Sequence, residues 1–117
     1  IVCLDGDGSL LMHFGSLLNI AKLKKRNLKY ILLNNGSHQS VGGQETGAFD
    51  INFKLICAGL NINNPECLFS RKNFEKKIVN FINSKKKMFL EIKISNENSK
   101  NLPRPKNLIK IKNDFMN

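Results

Sequence analysis

The sequence predicts a three-layer α/β/α fold with a mostly parallel sheet. Three observations favour this class. Short apolar runs that suit buried strands alternate with segments whose apolar residues recur at helical spacing. The first two apolar runs each end in a glycine-bearing turn, at residues 5–9 and 34–36. Hydrophobic residues make up 41% of a 117-residue chain, which is enough for one domain core. Such alternation places helices on both faces of a parallel sheet.

The first half of the chain supplies two strands and two helices. Residues 1–4 and 28–33 are continuous apolar runs, typical of strands covered on both faces. Between them the spacing predicts one helix from Ser9, and after the polar loop 37–47 a short helix at residues 53–60. The apolar stripe of the first helix consists of Leu10, Phe14, Leu17, Leu18 and Ala21.

The second half continues the alternation. Residues 66–69 suggest a short strand, and residues 74–84 predict a helix. Residues 89–94 alternate as a last strand, nearer an edge of the sheet. The domain is expected to cover residues 1–95, and a polar tail residues 96–117. The inward positions of the helix are Phe74, Ile78, Phe81 and Ile82.

A general surplus of Lys, Asn and Ile explains the strong positive charge better than a binding function does. The formal net charge is +10, with 19 Lys and Arg against 9 Asp and Glu. The chain holds 16 Lys, 17 Asn and 12 Ile but only 3 Arg, whereas phosphate recognition favours Arg. A nucleic-acid module would also interleave lysines with exposed aromatics, but here the aromatics fall mostly in apolar stripes. We therefore expect no nucleic-acid partner.

The termini and cysteines suggest a cytoplasmic location. No leader-type segment opens the chain, and no apolar run approaches the roughly 20 residues that span a bilayer, so we expect no membrane association. Cys3, Cys57 and Cys67 are scattered and form no C-x-x-C pair, which favours reduced thiols. The chain opens directly on a strand, so we expect a piece of a longer polypeptide.

The candidate phosphate-binding and metal-ligating residues follow two of the predicted strands. Gly6, Asp7 and Gly8 follow the first strand and open a helix, where glycines let a phosphate approach the backbone. A carboxylate there would repel phosphate unless a divalent cation lies between them. The second strand ends in Asn34 and Asn35, whose amide oxygens are also hard ligands. Because parallel strands end at one edge, Asp7 and Asn35 could hold one Mg²⁺.

This pattern resembles that of the thiamine-diphosphate-dependent enzymes. Gly6-Asp7-Gly8, 25 residues, and then Asn34-Asn35 are similar to their GDG, spacer and NN signature. The resemblance implies a thiamine-diphosphate-binding fold in which Mg²⁺ is bound by Asp7, the Asn35 side chain and the Ser37 main-chain carbonyl. The cofactor-binding residues that it implies are Gly6, Asp7, Gly8, Ser9, Asn35, Ser37 and His38.

The loop after the second strand narrows the family. Residues 34–44, NNGSHQSVGGQ, are similar to the NNGAHxSVGGQPT stretch of phosphonopyruvate decarboxylases, and residues 102–105 and 114–116 resemble their closing features. Ser37, Glu45 and Pro103 depart from the usual Ala, Pro and Gly. The implied reaction is decarboxylation of 3-phosphonopyruvate to phosphonoacetaldehyde and CO₂. The alternative is decarboxylation of sulfopyruvate or another 2-keto acid.

The resemblance also implies partners. A glutamate in a separate pyrimidine-binding domain activates the cofactor in this family, usually across a subunit interface. We therefore expect that domain from the rest of the protein or from a partner subunit, in a homo-oligomer, and expect the isolated chain to be inactive. Two interpretations of His38 stay open: a surface imidazole, or a group that meets substrate or cofactor and could be catalytic.

These motifs have two alternative interpretations. Asp-Gly and Asn-Gly pairs are ordinary turn formers, but their occurrence at this spacing favours the metal site. The run LDGDGSL at residues 4–10 also imitates the loop of haloacid-dehalogenase-type phosphatases, with Asp5 as nucleophile and Asp7 as general acid and base. That chemistry needs a downstream acidic pair, whereas the later Asp residues are Asp50 and Asp114 alone.

Overall fold

The computed structural model describes residues 1–24, 27–68, 72–86, 88–97 and 105–116. Its strands are β1 (Val2–Gly6), β2 (Lys29–Asn34), β3 (Asn63–Leu68) and β4 (Met88–Lys93). Its helices are α1 (Asp7–Met12), α2 (Ser16–Lys22), α3 (Phe53–Gly59), α4 (Phe74–Asn83) and α5 (Leu108–Met116), and Ala48–Asp50 form one 3₁₀ turn.

The four strands form one parallel sheet in the order β1-β2-β4-β3. The strand predicted to lie nearer an edge is therefore central, since β4 pairs with β2 on one side and β3 on the other. The edge prediction was wrong because the alternation in β4 comes from Glu91 and Lys93, and the fold buries the charged Glu91 instead of exposing it. In register, Leu32 of β2 faces Glu91 of β4.

Helices cover both faces of the sheet, so the predicted α/β/α class is confirmed. On one face α1, α2 and α3 pack against a cluster that includes Tyr30, Leu32 and Phe89. On the other face α4 places Phe81 against Ile31 and Leu90. The alternate residues of β2 thus divide between two cores, as expected when both faces of a strand are covered.

A chain of aromatic rings runs through the larger core. Phe53 of α3 lies 6.3 Å from Phe14 and 6.3 Å from Phe89, measured between ring centroids. Phe89 stacks in turn on Tyr30 at 5.5 Å. Offset ring pairs at such distances contribute about 0.5–1.5 kcal/mol each beyond area burial. These contacts fix α3 against β4, and β4 against β2.

The first strand is not covered on both faces as predicted. Leu4 is 67% exposed and Val2 47% exposed, whereas Cys3 packs against the larger core. The register explains this difference, because Leu4 pairs with Ile31 on the face that α4 covers. Within the described residues, α4 reaches the centre of that face but leaves the β1 side open.

The single helix predicted from Ser9 is two helices. The α-helical pattern stops at Met12 and resumes at Ser16, with Gly15 as the residue that precedes α2. The break rotates the second segment, so that Leu17 is buried while Leu18 is 51% exposed and leaves the predicted stripe. In α4 the inward positions hold for Phe74, Ile78 and Phe81, but Ile82 is 46% exposed.

The predicted tail contains a helix of its own, α5, whose residues are all exposed. Parts of two predicted features, Phe69 at the end of the third strand and residues 102–104 of the tail, lie outside the described residues. No helix in the described part of the chain has both the length and the apolar character needed to cross a membrane.

Candidate functional site

The two polar motifs meet at the carboxyl edge of the sheet. Gly6, the last residue of β1, pairs in register with Leu33, and Asn34 ends β2 immediately beyond it. Asp7 begins α1, with Gly6 as the capping residue in an extended conformation. The parallel pairing of β1 with β2 therefore brings together residues that are far apart in sequence, as the strand pattern predicted.

Asp7 is a buried carboxylate held by one hydroxyl. It is only 2% exposed, and its Oδ2 accepts a hydrogen bond from the hydroxyl of Thr46. Thr46 in turn accepts from the backbone N–H of Ala48 at 3.2 Å, which orients the hydroxyl hydrogen toward the carboxylate. A buried carboxylate needs such donors or a bound cation, because removing its charge from water is costly.

Asn34 and Asn35 have different surroundings. The Asn34 side chain is fully buried, and its Nδ2 donates to Glu91 Oε1 at 2.7 Å and to the Ala48 carbonyl at 3.3 Å. Its Oδ1 accepts from the N–H of Gly36 at 3.0 Å. The side-chain amide of Asn34 is therefore occupied by contacts within the protein. Of the two asparagines, Asn35 is the one whose side chain a ligand can reach.

Asn35 and Ser37 form a compact turn. The Asn35 Oδ1 accepts the Ser37 N–H at 3.1 Å, and its Nδ2 donates to Gln39 Oε1 at 3.2 Å. An amide oxygen has two lone pairs, so this contact leaves Oδ1 able to ligate a cation. Ser37 itself is 8% exposed.

The loop after Asn35 folds back on itself. The Thr46 N–H donates to the Gly36 carbonyl at 3.0 Å, and the His38 N–H donates to the Gln44 carbonyl at 2.8 Å. These two hydrogen bonds lie on either side of the β-bridge between Ser37 and Glu45. The Ser37 carbonyl takes part in neither of them. The closure is what brings Thr46 back to Asp7.

Gly36 permits this closure for two reasons. Its φ is +67°, a conformation that residues with a side chain rarely adopt. A Cβ at this position would also lie 2.5 Å from Cε2 of Phe49, in the 3₁₀ turn that follows Thr46. Gly36 thus lets the 3₁₀ turn pack directly against the asparagine pair.

His38 lies against Gly8. A Cβ built on Gly8 would lie 2.4 Å from Nδ1 of His38, so the imidazole occupies the space that a side chain would need. His38 is half-buried and Gly8 is buried, whereas Ser9 is exposed. The imidazole is therefore at the predicted cofactor site, although its role there stays a prediction.

Asp5 has a structural environment. Its Oδ2 accepts from the hydroxyl of Tyr30, and its Oδ1 accepts from the N–H of Gly6 at 2.9 Å. Burial, and then the hydrogen bond to Asp5, raises the pKa of Tyr30. The surroundings of Asp5 therefore argue against the phosphatase interpretation.

Sequence reasoning assigned no role to Thr46 or Glu91. Thr46 is the last residue of the decarboxylase-like stretch that begins at Asn34, so the motif itself contained the signal. Glu91 offered only its charge, in a predicted strand whose one other charged residue is Lys93. A buried charge within a predicted strand is a usable signal, because it requires a polar partner from a neighbouring element.

An open pocket of about 440 Å³ lies beside the asparagine pair, on the side of the 3₁₀ turn. Lys93 and Phe49 both line this pocket, and the Lys93 Nζ lies 5.0 Å from the centroid of the Phe49 ring. The pocket therefore has cationic and anionic groups on its wall. Its lining residues are Phe49, Asp50, Ile51, Asn52, Lys54, Glu91 and Lys93.

The donor set fits Mg²⁺ bound together with a diphosphate. Asp7 offers a carboxylate oxygen, Asn35 an amide oxygen and Ser37 a carbonyl oxygen, all at one edge of the sheet. Mg²⁺ prefers oxygen ligands and is commonly bound by one or two carboxylates together with phosphate oxygens. One protein carboxylate would thus suffice for a cation that a diphosphate also holds.

Comparison with protein families agrees with this geometry. Residues 1–92 match the family described as thiamine pyrophosphate enzyme, C-terminal TPP binding domain. Three similar proteins carry decarboxylase names, and the share of each chain that is aligned differs widely among them.

A sulfopyruvate decarboxylase of Methanosarcina acetivorans is 34% identical over 106 residues, which are 88% of this chain and 27% of that protein. A phosphonopyruvate decarboxylase of Streptomyces hygroscopicus is 41% identical over 58 residues, or 50% of this chain and 14% of that protein. A sulfopyruvate decarboxylase subunit beta of Methanocaldococcus jannaschii is 31% identical over 87 residues, or 74% of this chain and 46% of that subunit. The chain thus spans less than half of each of these relatives, and the resemblance to the thiamine-diphosphate-dependent decarboxylases is confirmed.

Proposed function

Because this chain belongs to the thiamine pyrophosphate enzymes, as part of their C-terminal TPP-binding domain, we propose that it anchors the cofactor of a 2-keto acid decarboxylase. The proposed reaction converts 3-phosphonopyruvate to phosphonoacetaldehyde and CO₂. Thiamine diphosphate supplies the electron sink for the decarboxylation. The part of this chain is to hold the diphosphate end of the cofactor through Mg²⁺.

The observation that carries this proposal is the hydrogen bond from Thr46 to Asp7. It joins the helix that begins after β1 to the loop that begins after β2, which supports the proposal of one site that contains Asp7 and Asn35. The proposed Mg²⁺ ligands are Asp7, the Asn35 side chain and the Ser37 carbonyl. The backbone of Gly6, Gly8 and Ser9 and the side chain of His38 are proposed to meet the cofactor.

The second candidate function is decarboxylation of sulfopyruvate. The names of the relatives favour it as much as the first, since both substrates occur among them. The two substrates share a 2-keto acid with an anionic group on the next carbon. The residues of the cofactor site would serve either reaction equally well.

The rest of the active site is proposed to come from another domain or subunit. A pyrimidine-binding domain would supply the activating glutamate, either from the remaining polypeptide or from a partner in an oligomer. The occurrence of a relative called subunit beta supports a multi-chain arrangement. This chain by itself is therefore expected to decarboxylate none of these acids.

The experiment that tests the reaction is a product assay on the complete protein, assembled with its pyrimidine-binding partner. Phosphonopyruvate, sulfopyruvate and pyruvate are compared at equal concentration, with thiamine diphosphate and Mg²⁺. We expect phosphonopyruvate to have the highest kcat/KM. A higher kcat/KM for sulfopyruvate would favour the second candidate, and turnover of none of the three would overturn the decarboxylase proposal.

The cofactor site is tested separately with Asp7→Ala. Mn²⁺ suits the same oxygen ligands as Mg²⁺, and its binding in the presence of thiamine diphosphate is followed by electron paramagnetic resonance. We expect more than about 100-fold weaker binding, since even partners behind the ligands change metal affinity about 10–100-fold. Asp50→Ala, which removes an exposed carboxylate from the 3₁₀ turn, is the control. Equal Mn²⁺ binding by both variants would refute the assignment of Asp7.

A further inference from the structure

Glu91 is a charged residue buried in the centre of the sheet. It lies on β4 and is 4% exposed. Its Oε1 accepts from Asn34 Nδ2 at 2.7 Å, across 57 residues of sequence. Removing a carboxylate from water is costly unless donors replace the lost hydration. The Asn34 amide is one such donor, and it ends the neighbouring strand.

The contact with Glu91 determines which way the Asn34 amide points. Glu91 Oε1 accepts the hydrogen bond from Asn34 Nδ2, so the NH₂ group of Asn34 faces Glu91. The second Nδ2 hydrogen then goes to the Ala48 carbonyl at 3.3 Å, and Oδ1 accepts the Gly36 N–H at 3.0 Å. A rotated amide would lose these contacts.

Asn34 thereby holds both ends of the loop that carries the proposed ligands. On one side its Oδ1 fixes Gly36, which lies between Asn35 and Ser37. On the other side its Nδ2 donates to the carbonyl oxygen of Ala48. The backbone N–H of Ala48 in turn donates to the hydroxyl oxygen of Thr46. The Thr46 hydroxyl then reaches Asp7. A continuous series of hydrogen bonds therefore joins Glu91 to both arms of the site.

We propose that Glu91 is a positioning residue for the Mg²⁺ and diphosphate site, acting through the Asn34 amide on the loop that carries Asn35 and Ser37. The inference rests on the proposed function, since it assigns Glu91 a role toward the cation proposed there. Glu91 does not touch the cation. Its carboxylate keeps the loop in the conformation that the cation needs before it binds, so that less ordering accompanies binding.

The test compares Glu91→Met with Glu91→Gln. Methionine is unbranched and fills irregular space but accepts no strong hydrogen bond. Glutamine keeps an oxygen that can accept from Asn34. In the assembled protein with thiamine diphosphate, Mn²⁺ binding is followed by electron paramagnetic resonance. We expect about 10-fold weaker binding for Glu91→Met, the lower end of the range for partners behind metal ligands because Glu91 acts through Asn34, and recovery to within about threefold of wild type for Glu91→Gln.

The control for a general loss of stability is Leu90→Ala. Leu90 is buried at 1% exposure on the same strand and packs on the opposite face, in the core that α4 covers. This variant is expected to unfold at a lower temperature while binding Mn²⁺ as wild type does. Equally weak Mn²⁺ binding by folded Leu90→Ala would overturn the proposal.

The remaining outcomes separate this inference from the proposed function. If wild-type protein binds no Mn²⁺ with the cofactor, the proposed function fails and this inference fails with it. If wild type binds Mn²⁺ and Glu91→Met binds it equally well, only the role of Glu91 is overturned. If Glu91→Gln is as weak as Glu91→Met, charge rather than the hydrogen bond matters and the positioning role is also overturned.

Asn34→Ala supplies an independent test should Glu91→Met fail to fold. This variant removes the same link from the other strand, and about 10-fold weaker Mn²⁺ binding is expected. Where both single variants fold, Glu91→Met should add little further loss in the Asn34→Ala background, because the two residues act as one unit. Fully additive losses would contradict action through Asn34, as would unchanged Mn²⁺ binding by Asn34→Ala.

Discussion

The hydroxyl of Thr46 donates a hydrogen bond to Oδ2 of Asp7, a residue 39 positions earlier in the chain. The donor lies on the far arm of a closed loop, and the acceptor lies at the first position of α1. One carboxylate oxygen of Asp7 is therefore held in place, and the carboxylate has a fixed orientation. Such orientation by a neighbouring group is typical of protein metal sites.

Replacement of Thr46 by valine is expected to weaken metal binding at Asp7. Thr46→Val preserves the shape of the side chain but removes the hydroxyl, so Asp7 loses its donor. We expect about 10-fold weaker Mn²⁺ binding in the presence of thiamine diphosphate, measured by electron paramagnetic resonance. Thr46→Ser keeps the hydroxyl and should bind Mn²⁺ nearly as wild type does. Equal affinities for the valine and serine variants would show that the hydroxyl has no part in the site.

Gly8→Ala is expected to destabilise the fold. The new Cβ would lie 2.4 Å from Nδ1 of His38, so the imidazole must move. Overpacking of this kind costs about 1–3 kcal/mol of unfolding free energy, measured by urea denaturation. Gly15→Ala is the matched control, because Gly15 has right-handed helical angles and open space around its Cβ position.

The contribution of the imidazole to this loss is measured in a His38→Ala background. There the space beside Gly8 is empty, so Gly8→Ala should cost less than it does in the wild-type background. The same cost in both backgrounds would mean that the two residues are not in contact.

Cys57 should make stability fall at high pH. Burial, and then the negative charge of Glu91, raises the pKa of the Cys57 thiol from 9.0 to about 12. The folded state therefore keeps a proton that the unfolded state releases, so this contribution is complete below pH 9 and is lost as the pH rises from about 9 to 12. The decline has a limiting slope of about 1.4 kcal/mol per pH unit.

The measurement is the difference in unfolding free energy between wild type and Cys57→Ala, taken at several values between pH 8 and pH 11. Taking the difference at each pH removes the other titrating groups from the comparison. Burial lowers the pKa of Lys29, which acts in the opposite direction, whereas Tyr30 acts in the same direction as Cys57. A difference that does not change with pH would contradict the raised pKa of Cys57.

Asp5 is expected to be dispensable for the cofactor and important for folding. Tyr30→Phe keeps the ring stacked on Phe89 but removes the hydroxyl that Asp5 accepts, which should cost about 1–3 kcal/mol of unfolding free energy. Asp5→Asn should leave Mn²⁺ and thiamine diphosphate binding within about threefold of wild type, less than about 1 kcal/mol. Phosphate-ester hydrolysis by the wild type that is abolished in Asp5→Asn would instead support the phosphatase class.

The residues at the ends of β1 and β2 show how much the sequence could predict. An apolar run that stops at a glycine identifies both a strand and its end, and the ends of parallel strands lie at one edge. The placement of Asp7 and the asparagine pair at the same edge of the sheet therefore followed from the strand pattern. The break before Ser16 did not, because Leu10, Phe14 and Leu17 keep helical spacing across it.

Contacts that depend on loop conformation could not be predicted. Thr46 reaches Asp7 only because the loop closes through backbone hydrogen bonds at Gly36 and His38. The central position of β4 also escaped prediction. A polar residue in a strand ordinarily faces solvent, whereas Glu91 is buried and its carboxylate accepts a hydrogen bond from the Asn34 amide of β2.

The wide sequence separations within the site link cofactor binding to folding as a whole. Asp7 and Thr46 are 39 residues apart, and Asn34 and Glu91 are 57 apart, so an unfolded chain has no local segment that resembles the site. A ligand that binds the folded state alone stabilises it by mass action. Contacts of such long range also slow folding, because the chain must close large loops before the contacts form. The cofactor would therefore stabilise a newly made chain only after the sheet has assembled. Loss of the cofactor would lower the stability of the whole sheet and not of one local segment.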